Sequence, residues 1–465
     1  MGKRKLRKPS TKEDEETNTS TEEVKSIKKV ISQSEEIPSI EDLLQAELNV
    51  GTIGHVDHGK STLVQALTGK FPDTHSEEIR RGITIRLGYA DFELRFCDKE
   101  HKNPFFNGYT TDKNCPVEKS HGKTNLIQRV SFVDAPGHEV LMATMLSGAA
   151  IMDGVILVIS ATEPVPMPQT REHLAAMNAI GMEKIIVAQN KVELVSEQDA
   201  EKNYQDIYNF LKNERHGGVK DIDIIPISAI HGANIDILIK KMQEKFKRPK
   251  KDTTADPRMS IARSFDINRP GTELKNWVGG IAGGVITEGI FHVGDDIEIS
   301  PGVNFSNKWK TIESSIVSLR SGFGKLDRAF PGGLIGIGTD LDPAVTKNDK
   351  LVGHVIGKPG KMPPVWTGLD FTGNFMERVV GSKVTQNFDI KSISTNILLM
   401  LNVGTAKTVG VVSSAKHSSE EKEISTMLKL PVCANIGARV AISTMIDKRW
   451  RLVGWGEITG GKELK

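Results

Sequence analysis

Eight residues, GHVDHGKS at positions 54–61, satisfy the spacing G-x-x-x-x-G-K-[ST] between an apolar run, LNVGTIG, and a helix-spaced run, KSTLVQALTG. Glycines let backbone N–H groups curl around an anion. Asp57, His58, Gly59, Lys60, Ser61 and Thr62 are therefore candidate phosphate-binding residues. Lys60 would reach the β- and γ-phosphates, and the Ser61 hydroxyl would ligate Mg²⁺. A helix beginning here adds its positive end. Downstream, Thr84 in RGITI can complete the Mg²⁺ shell and sense the γ-phosphate. The run VSFVDAPGH ends an apolar strand in Asp134, placed to hold the same ion at one remove. Gly137 supplies an N–H and a hinge. His138 follows where attack on a γ-phosphate needs a water-orienting group. The candidate catalytic set is His138, Lys60 and Thr84.

A second group suits a purine base. Asn190, after the strand-like KIIVAQ, can bond the guanine N7 and O6 edge, with the Lys191 stem along the base plane. The carboxylate of Glu193 can accept from guanine N1–H and the exocyclic amine, a donor pair that adenine lacks. Ser228, Ala229 and Ile230 follow IDIIPI, where a backbone N–H can meet the guanine oxygen. Five elements in this order imply a GTP-binding switch: Mg²⁺ and the γ-phosphate hold Thr84 and Gly137, and hydrolysis releases both.

These residues need a scaffold of alternating strands and helices. Residues 41–248 supply it: strand-like ITIRLGYADFELRF, VSFVD, VILVIS, KIIVAQN and IDIIPIS, with helical spacing at 169–180, 199–214 and 235–246. The pattern predicts an α/β phosphate-loop domain with a doubly wound, mostly parallel sheet. After the charged linker KRPKKDTTADP, short strands and glycine turns predict two all-β barrels, 257–365 and 366–462. Residues 1–40, rich in Lys, Glu, Ser and Thr, read as a disordered tail. Three cysteines in 465 residues, no apolar run behind the basic N-terminal residues and no run long enough to span a bilayer predict a cytoplasmic chain without a membrane partner. Net charge is +2, but residues 1–249 carry 33 basic and 37 acidic side chains and residues 250–465 carry 28 and 22, so a polyanion is drawn to the second half.

GHVDHGKS, RGITI and DAPGH together resemble the translational GTPases of the elongation factor Tu-like group. ITIRLGYADF, GHEVLMATMLSGAAIMDGVILVI, PMPQTREHLAA, RSFDIN and RWRLVGWGEI narrow the resemblance to the gamma subunit of eukaryotic and archaeal translation initiation factor 2, from about Leu48 to Ile458. The resemblance implies a G domain and two barrels, GTP/GDP and Mg²⁺ as ligands, and a heterotrimer with alpha and beta subunits. It implies delivery of initiator methionyl-tRNA to the small ribosomal subunit, with GTPase-activating and nucleotide-exchange factors as further partners. Tyr89 and Arg263 are then candidate tRNA contacts, Tyr89 being equally readable as a half-buried strand aromatic. Val56 and Ile83 match the apolar pair that gates His138, or serve as ordinary core.

Three departures matter. The guanine motif usually ends in Asp, whereas here Glu193 carries an extra methylene. Asp57, with the Gly82 carbonyl, is a candidate for a second Mg²⁺, or else caps loop N–H groups. The family often carries a cysteine-rich zinc knuckle at 98–128, but this insertion holds no C-x-x-C pair. Cys97, His101, Cys115 and His121 could make a tetrahedral site, yet C-x3-H and C-x5-H are irregular spacings, so a plain insertion without zinc is the expectation. Competing functions are an elongator-type carrier, a regulatory subunit of a metabolic enzyme and a nucleotide-binding scaffold without turnover.

Overall fold

A computed structural model describes residues 38–69, 88–134, 142–214, 222–269, 271, 273, 277–306, 308–376, 393–417 and 422–464. The tail expected before residue 38, and Gly82, Ile83, Thr84, Gly137 and His138, lie outside the described residues.

The first sheet is built from β1 (Leu48–Ile53), β2 (Gly88–Phe96), β3 (Tyr109–Thr110), β4 (Asn125–Asp134), β5 (Gly154–Ser160), β6 (Ile185–Asn190) and β7 (Asp223–Pro226). Its order is β3-β2-β4-β1-β5-β6-β7. Strands β4, β1, β5, β6 and β7 run parallel, and β2 and β3 extend that sheet antiparallel. The mixture has a physical cause. The chain from β2 to β4 returns through a loop excursion rather than a crossover helix, so those strands pair head to tail.

Helices α1 (Lys60–Thr68), α2 (Met142–Ala149), α3 (Pro168–Ile180), α4 (Glu197–Glu214) and α5 (Ile235–Lys245) cover both faces. Strand β5 shows why two layers are needed. Val155, Leu157 and Ile159 point into one apolar cluster with Leu146, Leu174 and Phe210, while Ile156 and Val158 point into the other with Leu63, Leu238 and Phe246. Period-2 alternation with no polar face is the pattern of a strand buried on both sides. Each such side chain contributes about 1.5–3 kcal/mol by burial.

Beyond the linker two barrels follow. In the first, Asp296–Phe305, Val355–Gly357, Arg258–Phe265, Ile281–Glu288, Ile335–Thr339 and Lys308–Ser321 pair in that order, and Lys308–Ser321 pairs back to Asp296–Phe305. In the second, Val365–Phe375, Lys422–Cys433, Ala406–His417, Leu398–Val403, Arg439–Ile446 and Arg449–Glu463 form a closed ring. Every ladder in both rings is antiparallel. Closure removes exposed edges.

The barrels are joined to the first domain through buried polar contacts. Gln45, in the segment before β1, donates through Nε2 to the carbonyls of Phe330 and Gly332 at 2.6 and 2.7 Å and accepts from Phe330 N–H at 3.0 Å. Glu172 of α3 meets Arg451 of the second barrel at 2.6 Å, both side chains being about nine-tenths buried. Among the described residues no helix is long and apolar enough to cross a membrane.

Candidate nucleotide site

The loop after β1 turns where only glycine fits. Gly54 sits at φ 141°, and a Cβ there would lie 2.2 Å from the Val158 carbonyl oxygen. Gly59, the residue before α1, sits at φ 88°, and its Cβ would lie 2.4 Å from Asn190 Nδ2. Asp57 also has positive φ, 63°, a conformation that Asp tolerates better than most residues. These turns bring Lys60 back across the loop, and its Nζ donates to the His55 carbonyl at 2.7 Å.

Asp134 ends β4 directly beside this loop, because β1 and β4 pair in register through Thr52 and Asp134. Ser61 Oγ donates to Asp134 Oδ2 at 2.8 Å, and Thr52 Oγ1 donates to Oδ1 at 2.5 Å. Asp134 is fully buried. The donor set is all oxygen, with one carboxylate and a hydroxyl at a helix start, which fits a hard cation such as Mg²⁺.

Asn190 closes β6 and spans the two halves of the site. Its Nδ2 donates to the His58 carbonyl at 2.9 Å, and its Oδ1 accepts from Ala229 N–H at 3.0 Å. One amide thus fastens the phosphate loop to the Ser228–Ile230 turn, leaving a second Nδ2 hydrogen for a base. Ser228 pairs with Ala233 across that turn, so Ala229 stays buried while Ile230 points outward. Lys191 adopts φ 64°, and Glu193 follows on an exposed 3-10 turn. The purine-side residues therefore form one patch.

The tRNA candidates lie elsewhere. Tyr89 packs in the cluster containing Ala262, Val285 and Leu334, at the junction with the first barrel. Its hydroxyl is buried without a partner, and burial pushes its pKa up. Arg263 Nε is paired with Asp349 Oδ1 at 2.9 Å.

Sequence reasoning missed the clamp behind the phosphate loop. Gly54 N–H donates to His173 Nδ1 at 3.0 Å, and Val56 N–H donates to Gln169 Oε1 at 3.2 Å. Both acceptors are on α3, four residues apart and hence on one helix face. His58 is held by the Val158 carbonyl at 3.0 Å and by Glu163 at 3.1 Å. The segment PQTREH stood out in the sequence only by resemblance; nothing in its spacing signals an acceptor for a loop more than a hundred residues away.

Burial, and then the nearby Lys60, lower the His173 pKa to about 3, so the ring is neutral and can accept. A pKa below the unfolded value of about 6.5 means that the folded chain binds fewer protons. Stability from this group is present above about pH 6.5 and is lost as pH falls toward 3. Replacing His173 with Ala is expected to weaken GTP binding by about tenfold, one hydrogen bond's worth, and to flatten stability across that acid window. Nucleotide titration and denaturation midpoints at several pH values check both; unchanged affinity removes His173 from the clamp.

The structure also brings together Cys97, His101, Cys115 and His121, whose irregular spacing predicted an insertion without metal. Loop closure rather than spacing sets their convergence.

Comparison with known proteins completes the description. The Elongation factor Tu GTP binding domain family matches residues 45–248, and the Initiation factor eIF2 gamma, C terminal family matches residues 367–458. The chain is 52% identical over 420 residues to translation initiation factor 2 subunit gamma of Methanocaldococcus jannaschii, covering 90% of this chain and 98% of that protein. It is 50% identical over 418 residues to the same subunit of Pyrococcus furiosus, covering 89% and 98%. Among solved structures, translation elongation factor SelB of Methanococcus maripaludis with a GTP analogue superposes with a TM-score of 0.64 at 22% identity, over 90% of this chain and 80% of the other. A bacterial selenocysteine-specific elongation factor gives 0.66 at 22%, over 88% and 58%. At that identity the likeness shows the fold of a G domain and two barrels. With half its residues identical across nine-tenths of its length, the chain belongs to the translation initiation factor 2 gamma-subunit family of GTP-hydrolysing translation factors.

Proposed function

We propose that this chain is the nucleotide-binding subunit of a cytoplasmic heterotrimer, with alpha and beta partners, that delivers initiator methionyl-tRNA to the small ribosomal subunit and releases it on GTP hydrolysis. What supports this reading is the meeting of Lys60, Ser61, Asp134 and Asn190 at the carboxyl ends of parallel strands, the usual ligand crevice of such sheets. The family relationship extends from there through the last barrel.

Lys60 and the N–H groups of Asp57–Thr62 bind and orient the β- and γ-phosphates. Ser61, Thr84 and, at one remove, Asp134 would hold Mg²⁺, which would supply neutralisation of developing phosphate charge. Asp57 and the Gly82 carbonyl are candidates for a second ion. Gly137 contributes an N–H to the γ-phosphate, and His138 orients the attacking water. Asn190, Lys191, Glu193 and Ser228–Ile230 are the residues that would select guanine. Tyr89 and Arg263 are the tRNA candidates.

Retention of radiolabelled initiator methionyl-tRNA, with GTP analogue against GDP and against elongator methionyl-tRNA, tests the proposal at two salt concentrations, since phosphate contacts make affinity salt-dependent. Tighter retention of the initiator species with the analogue is expected. Equal retention of both tRNAs points to an elongator-type carrier. No retention with nucleotide verifiably loaded overturns tRNA delivery.

A further inference from the structure

The outer wall of the second barrel carries a line of apolar side chains open to solvent. Val411, in strand Ala406–His417, is paired with Leu398 on one side and with Met427 on the other. Leu398 stands one step beyond the paired Leu399 and Thr444, which sets it opposite Met445, and Met445 is paired with Trp450. Residues directly opposite each other in a ladder share one face, with Cβ atoms about 4.5–5.5 Å apart. Leu398, Val411, Met427 and Met445 are each 40–49% exposed, and Trp450 is half-buried. Their chain neighbours Leu399, Val412 and Thr426 are buried on the opposite face, in the barrel. An exposed leucine by itself needs no explanation. Four large apolar side chains in one register across four neighbouring strands form a contiguous patch.

Pairing, continuity and charge say what covers it. Every strand of this barrel is paired on both sides, so a partner must dock by side chains rather than by adding a strand. The row also continues an existing interface. Met400 and Asn402 share the face of Leu398 on strand Leu398–Val403. Met400 is buried, and Asn402 Nδ2 donates to Ser147 Oγ of α2 at 3.1 Å. That face meets a helix at one end and is bare at the other. The rim is basic. Lys407 and Lys429 lie on the same face as Val411 and Met427, and Lys448 follows in the turn after Met445. All three lysines are exposed, and none is ion-paired among the described residues. Glu423, beyond Met427, is matched by Lys416 at 3.3 Å, which leaves Asp447 beside Lys448 as the other carboxylate of the rim. From Met445 to Met427 the row crosses three strand spacings, about 14 Å. A helix spans that distance in about ten residues, with anchors at i, i+3 or i+4, and i+7.

We propose that this row is the docking surface for an acidic amphipathic helix of a partner polypeptide. Its apolar stripe lies along Met445, Leu398, Val411 and Met427, and its flanking carboxylates face Lys407, Lys429 and Lys448. A second copy of this chain fits less well, because a self-complementary contact sets one lysine rim against the other. A lipid surface also fits less well. These side chains stand in a barrel wall with lysines beside them, whereas membrane binding sinks an apolar face about 5–10 Å into the headgroup boundary.

Methyl-labelled methionine in the full-length chain gives a site-resolved readout by NMR, since two of its 14 methionines, Met427 and Met445, stand in the row. The substitutions M427L and M445L assign their signals. The probe is a synthetic amphipathic peptide of about five helical turns, with Leu on one face and Glu on both flanks. The same peptide with Lys in place of Glu is the control. The glutamate peptide is expected to shift Met427 and Met445 and to bind about tenfold tighter than the lysine peptide, the gap narrowing as salt rises. L398S/V411S should weaken it by about tenfold or more with the denaturation midpoint unchanged, and K407E/K429E should reverse the preference between the peptides. No binding, shifts confined to other methionines, or affinity unchanged in L398S/V411S overturns the docking surface. Equal affinity for both peptides overturns the acidic partner. Co-sedimentation with anionic lipid vesicles that L398S/V411S abolishes would make the row a membrane contact. A dimer that the same variant dissociates would make it a self-contact. Either result overturns the proposal. None of these readings depends on nucleotide or tRNA binding.

Discussion

Lys60→Ala is expected to lower GTP affinity by about a thousandfold, roughly 4 kcal/mol, as two charge-assisted contacts to phosphate oxygens are lost. The Lys60 side chain is 7% exposed and its Nζ is held by the His55 carbonyl, so the ammonium is positioned before any ligand arrives. Little ordering entropy then remains to be spent on binding. Titration with a fluorescent GTP analogue gives the affinity. A denaturation curve run alongside separates lost ligand contacts from lost fold. Affinity within a few-fold of the parent chain would refute the phosphate-loop assignment itself.

The second large effect lies at the far side of α3. Arg451→Met should destabilise the chain by about 3–5 kcal/mol near pH 8, because it leaves the Glu172 carboxylate buried without its cation. Glu172 Oε1 accepts from Arg451 at 2.6 Å, and Oε2 has no partner. Burial raises the Glu172 pKa to about 7 despite the arginine. The unfolded value is about 4.3, so the folded chain binds the extra proton. This group's contribution is therefore greatest below about pH 4.3 and declines as pH rises toward 7. Removing the arginine pushes the pKa higher still, so the Arg451→Met deficit should grow with pH and shrink under mild acid. Denaturation at about pH 5.5 and pH 8 measures it. The double substitution E172Q/R451M should recover much of the loss at the higher pH. A deficit independent of pH would show that packing, not charge, dominates this contact.

Glu172 and His173 are neighbours on one helix, about 100° apart in direction. One faces the second barrel and the other accepts from the phosphate loop. A single rigid element therefore touches both the nucleotide cradle and the barrel seam.

Much of this molecule was legible in the chain. Periodicity of 2 and 3.6 separated the α/β domain from the barrels, because burial on one or two faces imposes those periods on apolar residues. Local motifs singled out Lys60, Ser61, Asp134 and Asn190, which the fold brings together, because the loop that positions them is made of consecutive residues and its Gly54 and Gly59 leave no room for a Cβ. The contacts that span long sequence separations were not legible. Asn190 reads as a base ligand, yet it is also the strut between His58 and Ala229. His173 as acceptor for Gly54, Arg451 as partner of Glu172 and the meeting of Cys97 with His121 depend on where strands and helices dock. Irregular Cys and His spacings did not reveal that Cys97, His101, Cys115 and His121 converge, because spacing rules describe one kind of turn. Here two unequal loops reach the same point. Sequence determines what each segment can do locally; which distant side chains complete a hydrogen bond or an ion pair is decided when the layers pack, since a few ångströms of displacement separate a contact from none.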